Sequence, residues 1–227
     1  MQETLNFGIT DVEKIKAVLS KFEQGKTTSY FEELRVKKDG TTITLYTSGK
    51  LSIQGENAST IKDEILSSLD LKKELIIGID ETGRGENDGP MVIAGVLADT
   101  NSLRQIRDSK KTGDIAKKEK IVSEQMLGSV IISLNSELID LARNSGKNLN
   151  QIEASLIEKI SEALSIFADS ITKVDGAPLK VQDKKIEFIP KGDDLEPVIG
   201  AASIIAKHAR NNSSDKKIRK TWKKKSN

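Results

Sequence analysis

The residues with the clearest chemical potential are Asp80 and Glu81, adjacent carboxylates that follow an apolar run from Leu75 to Ile79. The run reads as a buried strand, and side chains alternate along a strand, so the two acids leave it on different sides. Anionic groups at the edge of a buried strand are costly unless something pairs them, and hard divalent cations with oxygen ligands are the usual partner. A glycine-rich turn follows, Gly83-Arg84-Gly85-Glu86-Asn87-Asp88-Gly89-Pro90. Backbone N–H groups and one guanidinium beside a metal suit a phosphodiester. The pair alone leaves an ordinary strand end with solvated acids open as well. The glycine spacing is not a dinucleotide fingerprint: the third glycine falls at Gly89, one position late, and Pro90 leads into a strand-like run.

Two further strands are expected to end in acids. Ile171 to Val174 runs into Asp175-Gly176, and Lys185 to Ile189 runs into Pro190-Lys191-Gly192-Asp193-Asp194. Carboxylates from several strand ends can meet in one cleft at the edge of a sheet. Such a cluster repels itself unless it binds cations or keeps some acids protonated. Two divalent ions held by shared carboxylates activate a water and stabilise the leaving oxygen of a phosphodiester.

The elements that must position these groups alternate between strand and helix. Met91 to Leu97 and Ser129 to Leu134 read as strands. Ser102 to Ile106 reads as a short helix, and Arg107-Asp108-Ser109-Lys110-Lys111 as a polar loop. Ile115 to Met126, Glu137 to Ala142 and Leu149 to Phe167 read as helices, the last with Ile152, Leu156, Ile160 and Leu164 on one stripe. A final helix carries Val198, Ala201, Ala202, Ile205 and Ala209, small enough to pack closely on a sheet. This order indicates an α/β layer fold.

Residues 1–70 read as a separate small α+β domain. A strand from Leu5 to Ile9 precedes a helix opened by a Thr10–Glu13 capping box and carrying Val12, Ile15, Val18, Leu19 and Phe22. Strands are expected at Tyr30 to Val36, Thr42 to Tyr46 and Leu51 to Gln54, with Asp39-Gly40 as a hairpin turn. A second helix carries Ile61, Ile65, Leu66 and Leu69. Lys37, Lys38, Tyr46 and Lys50 furnish either a binding face or solvated hairpin charge. The boundary falls at Leu71-Lys72-Lys73-Glu74, a catalytic domain spans 74–212, and a basic tail covers 213–227. That tail holds Trp222 and reads either as a phosphate-binding segment or as disordered. His208, the single histidine, either assists proton transfer or sits at the surface.

The chain has 227 residues with a formal charge of +2, so net charge does not announce a polyanion partner. Cysteine is absent, which excludes disulfides and thiolate metal sites. No apolar run approaches membrane-spanning length, and the N-terminus lacks signal-peptide character. The expectation is a soluble cytoplasmic protein that acts as a monomer.

Taken together, five ordered motifs resemble one family. Gly78-Ile79-Asp80-Glu81-Thr82-Gly83-Arg84-Gly85 with Gly89-Pro90 resembles the opening motif of ribonuclease HII. Asp108-Ser109-Lys110, Val174-Asp175-Gly176, Lys191-Gly192-Asp193 and Ala201-Ala202-Ser203-Ile204-Ile205-Ala206-Lys207 are similar to its later motifs, with Asp193 18 residues after Asp175. Thr42 to Lys50 with Gln54-Gly55 is similar to the substrate-binding domain of ribonuclease HIII, whose fold is like half of the TATA-binding protein. The resemblance implies a ribonuclease H-like mixed sheet flanked by helices. It implies hydrolysis of the RNA strand of an RNA–DNA hybrid, leaving a 3′-hydroxyl and a 5′-phosphate; the alternative is a hybrid-binding protein with lost or weak turnover. It implies that Asp80, Glu81, Asp175 and Asp193 bind Mg²⁺ or Mn²⁺. Gly83, Arg84 and Gly85 then address the ribose 2′-hydroxyl and its phosphate, and Lys110, Ser203 and Lys207 contact backbone phosphates. The family's arginine-aspartate after the helix is Arg210-Asn211 here, and both tyrosines, Tyr30 and Tyr46, lie in the N-terminal part.

Overall fold

The computed structural model describes residues 2–8, 11–69, 73–103 and 115–222. Two five-stranded sheets organise them. The first holds β1 (Gln2–Asn6), β2 (Glu23–Gln24), β3 (Glu32–Lys38), β4 (Thr41–Tyr46) and β5 (Lys50–Gln54) in the order β1-β5-β4-β3-β2, with every pair antiparallel. Helices α1 (Val12–Leu19) and α2 (Ala58–Ser68) bury Ile15, Leu19, Ile61 and Ile65 against Leu5, Val36, Ile43, Leu45, Leu51 and Ile53. The alternating residues Thr42, Thr44, Tyr46, Lys50 and Ser52 fall on the opposite face. The Asp39-Gly40 turn forms with both residues at positive φ, 46° and 72°, the conformation a tight hairpin requires.

Three expectations for this part are corrected. The first strand is Gln2–Asn6 and not Leu5 to Ile9, because Leu5 pairs with Leu51 and the chain then turns into α1. Tyr30 precedes β3 and is 93% exposed, so the aromatic run did not mark strand. Lys38 lies on the helix side, over the Phe22 ring and paired with Glu64, and so leaves the candidate binding face. Thr10 lies outside the described residues.

The second sheet holds β6 (Leu75–Thr82), β7 (Met91–Asp99), β8 (Gly128–Leu134), β9 (Ile171–Asp175) and β10 (Ile186–Ile189) in the order β10-β9-β6-β7-β8. Strands β10, β9 and β6 run parallel, and β7 and β8 antiparallel. Helices α3 (Ile115–Gln125), α4 (Ser136–Asn144), α5 (Leu149–Ser165), α6 (Gly192–Leu195) and α7 (Pro197–Asn211) accompany it. This is the mixed, helix-flanked sheet that the sequence leads one to expect.

Alternation along β6 and β7 sorts their side chains onto two cores. Ile76, Val92, Ala94, Val96 and Ala98 meet Val198, Ala201, Ala202 and Ile205 of α7. Ile77, Ile79, Ile93 and Leu97 meet Ile157, Ile160 and Leu164 of α5. Gly78 lies on the α7 side, where an added Cβ would stand 2.4 Å from the Val198 carbonyl carbon and oxygen. The helix backbone therefore rests directly on the strand.

The α5 stripe is rotated from the one expected: Glu153, Ile157, Ile160, Ser161 and Leu164 are buried, while Ile152 and Leu156 are only half-buried. The rotation places the Ser161 hydroxyl 2.7 Å from that of Thr172 on β9. Asp193 sits on the short helix α6, not at a strand end. Residues 213–222 of the basic tail pack back onto the loop after β6, and Arg219 is only 1% exposed.

Candidate metal and phosphodiester site

The parallel register brings the acids together. Ile79 stands opposite Val174, so Asp80 and Asp175 leave the carboxyl ends of neighbouring strands at the same level. Ile189 stands opposite Asp175, and the chain after β10 turns into α6 beside them. In open α/β sheets this edge is where ligands bind. One carboxylate oxygen each from Asp80, Glu81 and Asp175 lies within 4.8 Å of the others. The carboxylate of Asp193 is not part of this close trio. Its backbone N–H donates to Asp175 Oδ1 at 3.3 Å, and its charge acts on Asp80.

The two adjacent acids have different surroundings because they point to different faces. Asp80 follows Ile76 and Gly78 towards α7, where it hydrogen-bonds Ser203. Lys207 Nζ donates to Ser203 Oγ at 2.7 Å, one helical turn on. Asp80 Oδ1 also accepts the Glu81 backbone N–H at 2.8 Å. Glu81 faces the α5 side. There Arg84 Nε lies 2.6 Å from Glu153 Oε2, and Arg84 also donates to Asn150.

Burial pushes the Asp80 carboxyl well above the usual carboxylate range, and Glu81, Asp175 and Asp193 add to the push by repulsion. Burial and Asp175 likewise raise Glu81, against the pull of Arg84. Burial, followed by repulsion from Glu81, raises Glu153 to about 7. An all-oxygen trio in which burial and mutual repulsion raise Asp80 and Glu81 fits a hard divalent cation, which would remove the repulsion.

This geometry has a consequence for stability. Each raised acid holds its proton in the folded state above its unfolded value, so the folded state binds more protons. Stability present below the ordinary carboxylate range is lost as pH rises through the folded values, up to about 7 for Glu153. In EDTA the melting temperature is expected to fall between pH 5.5 and pH 8. A divalent cation at a hundred times its Kd should restore about 2.7 kcal/mol at pH 8. Calorimetry with EDTA, Mg²⁺ and Mn²⁺ checks this; a cation-independent melting temperature at pH 8 would rule out a metal at the trio.

The loop that follows the acids is held by two arginines that sequence reasoning did not single out as site residues. Gly83 has φ +78°, and a Cβ there would lie 2.4 Å from both Arg210 Nε and the Pro90 carbonyl oxygen. Arg210 donates to the Pro90 and Asp88 carbonyls at 3.1 and 3.3 Å. Arg219 Nη2 donates to the Gly83 and Gly89 carbonyls at 2.7 and 2.9 Å, and its Nε donates to Gly89 at 3.0 Å. Glu153 was also missed, although an acid four residues before Ile157 and seven before Ile160 interrupts an apolar stripe. Gly85 has open space around it. Lys110 lies outside the described residues. His208 is half-buried, 3.9 Å from Glu119, and plays no part in the cluster.

The Ribonuclease HII family model matches residues 77–226, and Domain of unknown function (DUF3378) matches residues 6–70. Ribonuclease HII of Methanosphaera stadtmanae is 34% identical over 153 residues, covering 60% of this chain and 70% of that protein. Ribonuclease HIII of Phytoplasma mali is 29% identical over 238 aligned positions, covering 91% and 78%. This chain spans 52% of the ribonuclease HII of Clostridium botulinum and 72% of one from Methanococcus maripaludis. The crystal structure of Aquifex aeolicus RNase H3 shares the fold with a TM-score of 0.53 at 22% identity, over 92% of this chain and 84% of that one. The ordered motifs, the acid trio at the parallel strand ends and the family match over residues 77–226 agree: the chain belongs to the ribonuclease HII family.

Proposed function

We propose that the protein is a divalent-metal-dependent endoribonuclease that hydrolyses the RNA strand of RNA–DNA hybrids, leaving 3′-hydroxyl and 5′-phosphate ends. The observation that carries this reading is the trio Asp80, Glu81 and Asp175, brought within 4.8 Å at the carboxyl edge of the sheet. Asp193, beside them, completes the ligand set. A divalent cation bound there supplies an activated water and neutralises charge at the scissile phosphate.

The chain's own residues do the rest. Lys207, braced by Ser203, offers a cation next to the acids for a backbone phosphate. Gly85, with no neighbour within 4 Å of an added Cβ, lets a sugar-phosphate approach the loop backbone. The Arg84 guanidinium stands at the same edge, and the loop addresses the 2′-hydroxyl, the atom that separates RNA from DNA. The N-terminal sheet would grip the duplex with its helix-free face, where Lys50 Nζ lies 5.4 Å from the Tyr46 ring centroid.

The test uses two labelled duplexes, a long RNA–DNA hybrid and DNA carrying one ribonucleotide, with Mg²⁺ or Mn²⁺. The expected result is cleavage of the hybrid that vanishes in EDTA, while binding through Lys and Arg persists. A hybrid that is bound but never cut, with either metal, would establish a binding protein and end the hydrolase reading.

A further inference from the structure

The segment after α7 packs back onto the loop that carries Arg84. The Asp215 carboxylate accepts from the Ser136 backbone N–H at 2.7 Å and the Ser136 hydroxyl at 2.9 Å, at the start of α4. Gly89 N–H donates to the Lys217 carbonyl at 3.0 Å, and Arg219 N–H donates to the Asn87 carbonyl at 2.9 Å, a short antiparallel bridge between loop and segment. Beyond it, Asp140 accepts from the Lys220 and Thr221 backbone N–H groups at 2.7 and 2.9 Å. Trp222 follows, with the Arg143 and Arg219 guanidinium carbons each 5.7 Å from its ring centroid.

At the centre is the buried guanidinium of Arg219, which donates to the carbonyls of Gly83 and Gly89. A buried arginine costs desolvation and needs most of its donors satisfied. Here the satisfying groups are the two ends of one loop, so the side chain ties Gly83 to Gly89 and closes the loop around Arg84. The Nε and Nη2 donors of the planar fork reach both carbonyls from one position, which a lysine ammonium does not reproduce. Arg210 holds the same loop from α7 through Pro90 and Asp88.

We propose that Arg219 is a positioning residue for the hydrolysis, clamping the Gly83–Gly89 loop so that Arg84 and the Gly85 backbone meet the ribose and its phosphate in one orientation. This rests on the functional reading above. The clamp acts through the Gly83 and Gly89 carbonyls at the two ends of the loop. A loop free to shift by about 1 Å loses on the order of a hundredfold in rate while leaving most binding contacts in place.

The experiment compares full-length wild type, Arg219→Gln, Arg219→Lys and the double variant Arg84→Ala/Arg219→Gln on the RNA–DNA hybrid with Mn²⁺. The expected result for Arg219→Gln is a fall in kcat of about tenfold to a hundredfold with KM within about twofold. Amide hydrogen exchange at residues 84–89 should accelerate, and Arg219→Lys should show the same split in milder form. The double variant should lose clearly less than the product of the two single losses, because both act through one loop. Unchanged loop exchange, or losses that multiply in the double variant, would overturn the proposal. Wild type that does not cut the hybrid would instead remove the functional reading, and with it the reaction that Arg219 positions. Should Arg219→Gln fail to fold, the KM and kcat split of Arg219→Lys decides.

Discussion

Asp80→Asn is expected to lower hybrid cleavage by about a thousandfold or more, since losing a metal ligand forfeits several kcal/mol of transition-state charge stabilisation. The same substitution should leave the metal-free fold at least as stable as wild type. Asparagine keeps the shape and its Oδ1 still accepts the Glu81 N–H, now 2.8 Å from Asp80 Oδ1. It removes a buried carboxyl that Glu81, Asp175 and Asp193 all repel. Because the Asp80 carboxyl is raised in the folded state, its effect on stability is unfavourable above the ordinary carboxylate range, and asparagine cannot titrate. The melting temperature in EDTA at pH 8 should therefore rise, and added Mn²⁺ should shift it far less than in wild type. Kinetics and calorimetry on one preparation check both signs. Substantial residual cleavage would remove Asp80 from the site, and a collapse of the fold would mean its role is structural.

Gly78→Ala has the largest expected effect on stability. The added Cβ would lie 2.4 Å from the Val198 carbonyl atoms and 2.7 Å from Ile199 N, all of them backbone. Backbone cannot swing aside as a flexible side chain does, so α7 must lift from β6. Overpacking of a core costs about 1–3 kcal/mol and more where nothing yields, so a loss of about 3 kcal/mol is expected. That corresponds to a drop of about 6–12 °C for a unit of this size. Trp222 is the single tryptophan and sits on the second sheet's unit, so its fluorescence reports the relevant transition. Cleavage should fall as well, because the shift moves Ser203 and Lys207 away from Asp80. An unchanged melting temperature would mean that α7 and β6 leave room for a methyl group between them.

Much of this site was legible in the residues. The apolar run into Asp80-Glu81 and the acid after Val174 marked two strand ends, because a buried strand shows as a continuous apolar stretch and an acid at its end is conspicuous. Small residues at Ala201 and Ala202 announced a helix seated on the sheet, and α7 packs there. Asp193 was harder: α6 is a four-residue helix opened by Lys191 at φ 60°, too short to carry a period. Tyr30 and Phe31 have strand-forming side chains, yet no neighbouring strand covers them, since β propensity follows burial as much as residue type.

The acids, the glycine-bounded loop and the alternation that sends Asp80 and Glu81 to opposite faces are local, and the residues alone specify them. Only the tertiary structure decided which strand lies beside which, and so whether Asp175 meets Asp80, because register is a contact between distant segments. It also decided where a basic segment that composition alone leaves undefined comes to lie. A charge run holding one arginine with the right carbonyls within reach reads the same as one in water. Arg219 differs only because residues 130 and 136 positions earlier fold back to meet it.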